Sequence, residues 1–465
     1  MRNLQKEMAM AFNQLEPKDV EMSRYGWTVR GLILAALAGI LFLKVYMMLF
    51  IIDSFVGLYS IITGIVIFGF FFLTFVKFKD PYIKAKNSPL SDYRPLVSVV
   101  IPVKNEEGFI KDCVLSFLNS TYKNKEIIVV DDGSTDKTSE ILDQMSKEVN
   151  IRVIHNPKGG GKKRAIEIGV EVAKGDIYFF TDSDSEIAPD AMEKAVTIFR
   201  SDHTIGAVTG HGRARSASPK LNTLEKMQDV MFDNQFRIQK GAESSFSSIS
   251  CCSGPVTVYR KEAVRPYIHA WVHDKFLGQE FKFATDRRLT AFVLSGRGSE
   301  VVEKQPIQNG VIPDKSDSTF AWKMVYSPSI KVLIGPPSNV RDYIKQQIRW
   351  RKSFIRSVFS TGKTYWRRPF PIAALFYLQM GLKMLRPIIV IKSVVILPLM
   401  GDYITAILYF ASVLFTSTIY AVDFRLRNPG NTQWIYRPIM TLFQMFVISW
   451  LLFYALITIR KTSWR

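Results

Sequence analysis

The sequence predicts an α/β domain, built on a parallel sheet and inserted between membrane-crossing helices. Strand-length and helix-length segments alternate from Pro95 onward, two membrane-length apolar stretches precede them, and further apolar stretches follow. Alternation of this kind indicates a sheet wound by helical crossovers. Apolar runs of about 20 residues indicate transmembrane helices.

Residues 1–30 are polar and mixed in charge, too long and too acidic for the n-region of a cleaved signal peptide. Residues 31–52 and 56–76 are the two leading apolar stretches. Only Asp53 to Phe55 separates them, which predicts a hairpin over 31–78 with its tip outside. Lys77, Lys79, Lys84 and Lys86 follow and place the next segment in the cytoplasm. Lys44, inside the first stretch, either snorkels or faces a polar interior. The chain carries 61 Lys+Arg against 41 Asp+Glu, a net charge of +20. Much of that excess flanks apolar segments, the pattern of a positive-inside membrane protein rather than a nucleic-acid binder. Three cysteines, Cys113, Cys251 and Cys252, are odd in number and lack metal spacing, so they read as reduced cytosolic thiols.

Within the α/β region, residues 96–103 read as a strand, 106–118 as a helix, 126–130 as a strand and 136–147 as a helix. A strand at 151–154, a helix at 162–173 and the apolar strand Tyr178-Phe179-Phe180 follow. Parallel strands end on one side of a sheet, and ligands of open α/β sheets collect there. That edge would gather Asp131-Asp132-Gly133-Ser134 with Asp182-Ser183-Asp184. One residue of the first loop suffices to cap the next helix. The spare carboxylate suits a hydrogen-bond donor such as a uracil N3–H or a ribose hydroxyl. Asp182 and Asp184, one residue apart, suit a divalent cation, the usual companion of a diphosphate. Gly159-Gly160-Gly161-Lys162-Lys163-Arg164 brings glycines and cations to a helix N-terminus, an anion site.

In order and spacing along residues 95–260, the Asp131-Asp132-Gly-Ser element, the glycine–lysine loop and Asp182-Ser183-Asp184 resemble the family 2 glycosyltransferases. The resemblance implies a type A, Rossmann-like glycosyltransferase domain over 92–335. It also implies uridine binding by Asp131 or Asp132, and metal and ribose or diphosphate binding by Asp182 and Asp184, with Mg2+ or Mn2+ as cofactor. Lys163 and Arg164 would face the phosphates. Further on, Cys251-Cys252-Ser253-Gly254-Pro255 resembles the acceptor-site element of hyaluronan synthases, which implies acceptor contacts at Ser253, Gly254 and Pro255. Ala284-Thr285-Asp286-Arg287-Arg288-Leu289-Thr290 is similar to the motif carrying the general base in those synthases and in cellulose synthases, and it implies that role for Asp286. Thr285 stands where that family has an acid.

Gln346-Gln347-Ile348-Arg349-Trp350 is the Q-x-x-R-W signature of processive members, within amphipathic interface helices expected over 336–370. Arg349 offers a fork of donors to a diphosphate, and the face of Trp350 can stack on an acceptor sugar. Residues 341–368 hold nine basic side chains and only Asp342 as an acid. Transmembrane helices are expected over 371–423, the first ending near Leu399 and the second at about 403–422, with Arg425 and Arg427 inside. Residues 437–465 are read as an interface helix rather than a fifth span, with a tail around Trp464 that resembles a gating loop. Hyaluronan synthases continue beyond this point, which leaves two expectations: a channel completed by a second copy as a homo-oligomer, or a transferase that is not a full polymerase. The resemblance implies a multi-pass protein of the cell membrane with a cytosolic catalytic domain, taking UDP-sugars (UDP-GlcNAc, UDP-GlcA or both) and extending a polysaccharide. Chitin-like and cellulose-like products stay open, as do a non-processive transferase acting on a lipid carrier and a membrane scaffold with an inactive domain.

Overall fold

A computed structural model of the chain describes residues 24–87, 93–216, 218, 220–282, 285–295 and 322–461. The strands are β1 (Val97–Val103), β2 (Lys125–Asp131), β3 (Arg152–His155), β4 (Ile177–Phe180), β5 (Ser185–Ile187), β6 (Ile205–Ala214), β7 (Thr257–Arg260), β8 (Lys275–Phe276), β9 (Gln279–Glu280) and β10 (Lys323–Ile334). Eight of them form one sheet in the order β3-β2-β1-β4-β7-β6-β10-β5, and β8 with β9 makes a separate hairpin. β1 and β4 are buried at every position. Strands covered on both faces by crossover helices need such nearly continuous apolar runs, and the buried Ser98 of β1 is satisfied by the Gly175 N–H.

The pairing explains where the loops meet. β1 runs parallel to β2 and β4, with Val103 opposite Asp131 and Val100 opposite Phe180. Their carboxyl ends therefore share one edge. β7 runs antiparallel to both β4 and β6, with Phe180 opposite Thr257. The sheet is thus mixed rather than wholly parallel. The reversal has a consequence: the loop that enters β7, from Ser253 to Val256, arrives at the edge where β4 ends.

The apolar helices pack beside this domain. Gly26–Phe50, Ser54–Lys86 and Tyr403–Arg427 are long and apolar enough to cross a membrane, and Gln433–Ile448 with Leu451–Ile457 forms a pair bent by 41°. Lys44 donates to the Ser60 carbonyl at 3.2 Å and is buried between the two leading helices. At the hairpin tip Asp53 caps the second helix by accepting from the Val56 N–H, and Lys392 closes on both Asp53 oxygens at 2.8 and 2.9 Å. Lys392 is therefore tied to the hairpin. The α/β domain is fastened to the end of the Tyr403–Arg427 helix by an ion pair and a hydrogen bond: Arg427 reaches Asp233 at 2.8 Å, and Arg213 donates to the C-cap Asn428 at 3.2 Å.

Candidate active site

Four loops converge at the carboxyl edge of the sheet. β2 delivers Asp131 and Asp132, both buried. Asp131 accepts from the Ser134 N–H at 3.0 Å and the Ser139 hydroxyl at 2.5 Å, and its second oxygen lies 3.0 Å from His155 Nδ1. Burial alone would raise its pKa, but these bonds outweigh it and hold the carboxyl below its ordinary range. Asp132 accepts from Asn156 Nδ2 at 2.9 Å and from the Gly161 N–H at 2.7 Å. The second aspartate thus pins the glycine loop to the end of β2. Gly161, at φ +85°, precedes the Lys162–Val172 helix in a conformation that side chains avoid.

Which cation enters the cleft is decided by helical phase. Neighbours on a helix point about 100° apart, so Lys162, Lys163 and Arg164 cannot face the same ligand. Lys162 contacts Asp182 and lies 3.6 Å from Asp286. Burial would depress its ammonium, but the two carboxylates dominate and raise it. Lys163, expected to face the phosphates, instead donates to the Trp271 carbonyl at 3.0 Å, and burial pushes it down to about 8. Arg164, expected beside it, pairs with Glu167. Lys162 is the residue that sequence reasoning missed. The motif was visible, but its rotation about the helix axis was not.

Beyond β4, Asp182 and Asp184 stand with Glu106 in electrostatic range. Burial, then Asp182 and Glu106, push Asp184 up to about 7. The loop entering β7 closes against this pair. A Cβ at Gly254 would sit 2.7 Å from Asp182 Oδ2 and 2.9 Å from Lys162 Nζ, so any other residue would push the Asp182 and Lys162 side chains from their present places. Ser253, Gly254 and Pro255 are held from several sides. Lys240 donates to Ser253 Oγ and to the Cys251 carbonyl, both at 2.7 Å, and Thr181 donates to the Pro255 carbonyl at 2.8 Å. Glu243 takes the Ser250 N–H at 3.0 Å and its hydroxyl at 2.7 Å. Lys240 and Glu243 gave no sequence signal, because they support the loop from a helix several residues upstream.

Asp286 lies in the first turn of the Thr285–Ser295 helix. Its Oδ2 accepts from the Gly254 N–H at 3.1 Å, and its Oδ1 accepts from Thr285 Oγ1 at 3.0 Å. Thr290 donates to the Asp286 carbonyl at 2.7 Å and accepts from the Cys252 N–H at 2.9 Å, locking this helix to the glycine loop of β7. A small cavity between them is lined by Lys162, Thr181, Gly254, Trp271 and Asp286. The structure therefore brings Asp182, Asp286, Gly254 and Lys162 together. The arrangement can hold a polyanion against Lys162 and offer a carboxylate to a nearby hydroxyl.

The Q-x-x-R-W residues lie on the Val340–Ser360 helix, which starts just after β10 and Gly335, where the Gly335 N–H meets the Asp184 carbonyl at 3.1 Å. Trp350 is 42% exposed, its ring 6.4 Å from that of Phe232. The Gln346 side-chain oxygen is buried without a hydrogen-bond partner among the described residues. Arg349 sits one turn further along the same helix. Trp464 lies outside the described residues.

Residues 98–268 match the model of glycosyl transferase family 2. Over 423 residues the chain is 29% identical to a hyaluronan synthase of Streptococcus pyogenes, covering 88% of this chain and 90% of that one. It is also 29% identical over 267 residues to an N-acetylglucosaminyltransferase of Azorhizobium caulinodans, covering 56% of this chain and 60% of that one. Among solved structures, a mannosyltransferase of Pyrobaculum calidifontis in complex with GDP-Man and Mn2+ aligns with a TM-score of 0.46 at 17% identity, over 84% of this chain and 99% of that one. The chain contains a family 2 glycosyl transferase domain and is a glycosyltransferase similar to hyaluronan synthases over most of its length.

Proposed function

We propose that the chain is a membrane-embedded, inverting β-glycosyltransferase that uses UDP-sugars to extend an anionic polysaccharide of hyaluronan type and passes it out between its apolar helices. The observation that carries this reading is the junction of Lys162, Asp182, Gly254 and Asp286, where a donor-side carboxylate and the proposed base share one cation and one loop. Asp132, which touches the glycine loop, is assigned to the nucleoside, and Asp131 shapes the loop behind it.

The acids fit a divalent cation. Asp182 and Glu106 act on Asp184 electrostatically, and burial first, then these two carboxylates, push the Asp184 carboxyl up to about 7, so a bound cation would relieve it. Asp182 and Asp184 would hold Mg2+ or Mn2+, which when bound supplies positive charge to the diphosphate leaving group. The chain's own residues do the rest. Lys162 turns from its two carboxylates to the diphosphate, and Arg349 adds a fork of donors. Asp286, oriented by the Gly254 N–H and Thr285, takes the proton of the acceptor hydroxyl as its oxygen bonds to the anomeric carbon and the bond to the diphosphate breaks. Ser253 and Pro255 shape the acceptor side, and Trp350 stacks on the terminal sugar.

An anionic product is supported by the charges beyond the cleft. Lys383 lies in the field of Arg287, Arg351 and Arg386, with Glu243 as the acid in range. Glu243 is already bonded to Ser250. Such a surplus of partly buried cations favours uronate carboxylates along the path of the chain, hence UDP-GlcA as one donor.

The α/β domain is assigned to the cytosol. The last apolar pair is assigned to the interface, because Lys352 on the Val340–Ser360 helix donates to the Lys461 carbonyl at 2.8 Å. Residue 461 therefore lies on the side of the Q-x-x-R-W helix, with Phe370–Ile391, which leads to Lys392 at the hairpin tip, taken as the fourth crossing. Chelation tests the donor arrangement. EDTA, and separately Asp184→Asn, should abolish UDP release by the purified protein. Full turnover in EDTA would remove the cation from the account.

A further inference from the structure

Outside the cleft, one cluster has the composition of a transition-metal site. Glu167, His269 and His273 each place a ligand atom within 4.8 Å of the other two. His269 lies on the Ile268–Val272 helix and His273 is its C-cap, four residues on, a spacing that brings two imidazoles to one side. Their ring centroids are 4.5 Å apart. His269 Nδ1 already meets Glu167 Oε1 at 3.1 Å, a proton shared where an ion can sit. Arg164 occupies the other oxygen of Glu167. That contact orients the carboxylate and leaves Oε1 for the site, the kind of outer partner that metal ligands use. Glu280 is the next acid, 3.7 Å from His273 Nδ1. Glu167 is buried, and both histidines are exposed, so the site has a rigid floor and an open entrance.

We propose that Glu167, His269 and His273 bind a borderline transition-metal ion of the Zn2+ class, separately from the cation of the donor site. Ligand chemistry divides the two: imidazole with carboxylate selects Zn2+, Cu2+ or Ni2+, whereas the all-oxygen set of Asp182 and Asp184 suits Mg2+ or Mn2+. At Zn–N and Zn–O distances of about 2.0–2.2 Å, tetrahedral ligand atoms stand about 3.3–3.6 Å apart, so ligand atoms within 4.8 Å of one another need to close by about 1 Å, and the two imidazoles that would move are exposed.

The position gives the ion a means of control. Glu167 lies on the Lys162–Val172 helix, whose first residue reaches Asp182 and Asp286. His269 and His273 flank Trp271, whose carbonyl takes Lys163 and whose Nε1 donates to the Thr285 carbonyl at 3.0 Å, next to Asp286. A bound ion cross-links the helix of the donor cation to the segment before the base. It would restrain the movement of Lys162 and slow turnover.

The test uses untagged, full-length protein in detergent, stripped of metal and held in excess Mg2+ to fill the donor site. Titration with Zn2+ should show one tight equivalent, weakened at least about tenfold in His269→Ala and in His273→Ala, the scale on which losing part of a metal site acts. With Cu2+ in place of Zn2+, the electron paramagnetic resonance spectrum should show imidazole nitrogen coupling in the parent and lose it in the double variant. In Mg2+ alone the histidine variants should match the parent in UDP release, and added Zn2+ should slow only the parent. Unchanged Zn2+ affinity in the double variant, or copper bound through oxygen alone, would overturn the proposal.

Discussion

Replacing Asp286 by Asn separates proton transfer from positioning. The carboxylate makes two hydrogen bonds, to the Gly254 N–H and from Thr285 Oγ1, and lies 3.6 Å from Lys162 Nζ. An amide of the same size keeps its oxygen on Gly254, and its NH2 can donate to Thr285, whose hydroxyl reverses role. Only the contact with Lys162 is lost. A net hydrogen bond is worth about 1 kcal/mol, so misplacement costs less than tenfold. Loss of a positioned general base costs about 10²–10⁴-fold, or about 2.7–5.4 kcal/mol. The two effects are therefore distinguishable by size alone. Transfer from UDP-sugar to acceptor should fall by about two to four orders of magnitude, while UDP binding by calorimetry stays within about twofold. Retention of transfer to within about threefold would refute base catalysis by this residue and leave the motif a structural tie between the Thr285–Ser295 helix and the β7 loop.

Lys162→Met and Lys163→Met should behave differently despite adjacent positions. The first should raise KM for UDP-sugar by about tenfold or more, the scale of a charge-assisted hydrogen bond. The second should lower thermal stability with little change in KM, because Lys163 is buried on Trp271. Equal effects on KM would contradict the helical phase described above. Trp350→Ala should spare UDP binding and reduce sugar transfer more than donor hydrolysis; equal loss of both would remove it from the acceptor site. His155 sits 3.0 Å from both Asp131 and Asp143, and these carboxylates outweigh its burial and raise its pKa above 6.5. Its stabilisation is present below pH 6.5 and lost as pH rises through the folded value. His155→Gln should therefore flatten the fall in unfolding temperature between about pH 6 and 8. The effect is held to about 0.5 kcal/mol by the exposed ring.

The sequence carried the α/β alternation, the carboxylates at Asp182 and Asp184 and the glycine loop, because each is written in a short contiguous run. What it could not carry was set by long-range pairing. β7 runs antiparallel between β4 and β6, and no local pattern reveals strand direction. Without that reversal nothing in the sequence sets Gly254 against Asp182 and Asp286. Lys162 and Lys163 differ only in rotation about one helix, which depends on how Gly161 and Asp132 fix its start. The partner of Lys392 is Asp53, 339 residues away, so no local pattern reveals the ion pair at the hairpin tip.

The central claim, a synthase that joins UDP-sugars into an anionic polymer, is tested most directly by product formation from defined donors. Purified protein in detergent would be given UDP-GlcNAc, UDP-GlcA, or both, with Mg2+, and the products sized on a gel. High-molecular-weight product should appear only when both donors are present and disappear in Asp286→Asn. Polymer from a single donor would contradict the alternating product, and absence of UDP release with every donor would contradict the catalytic account itself.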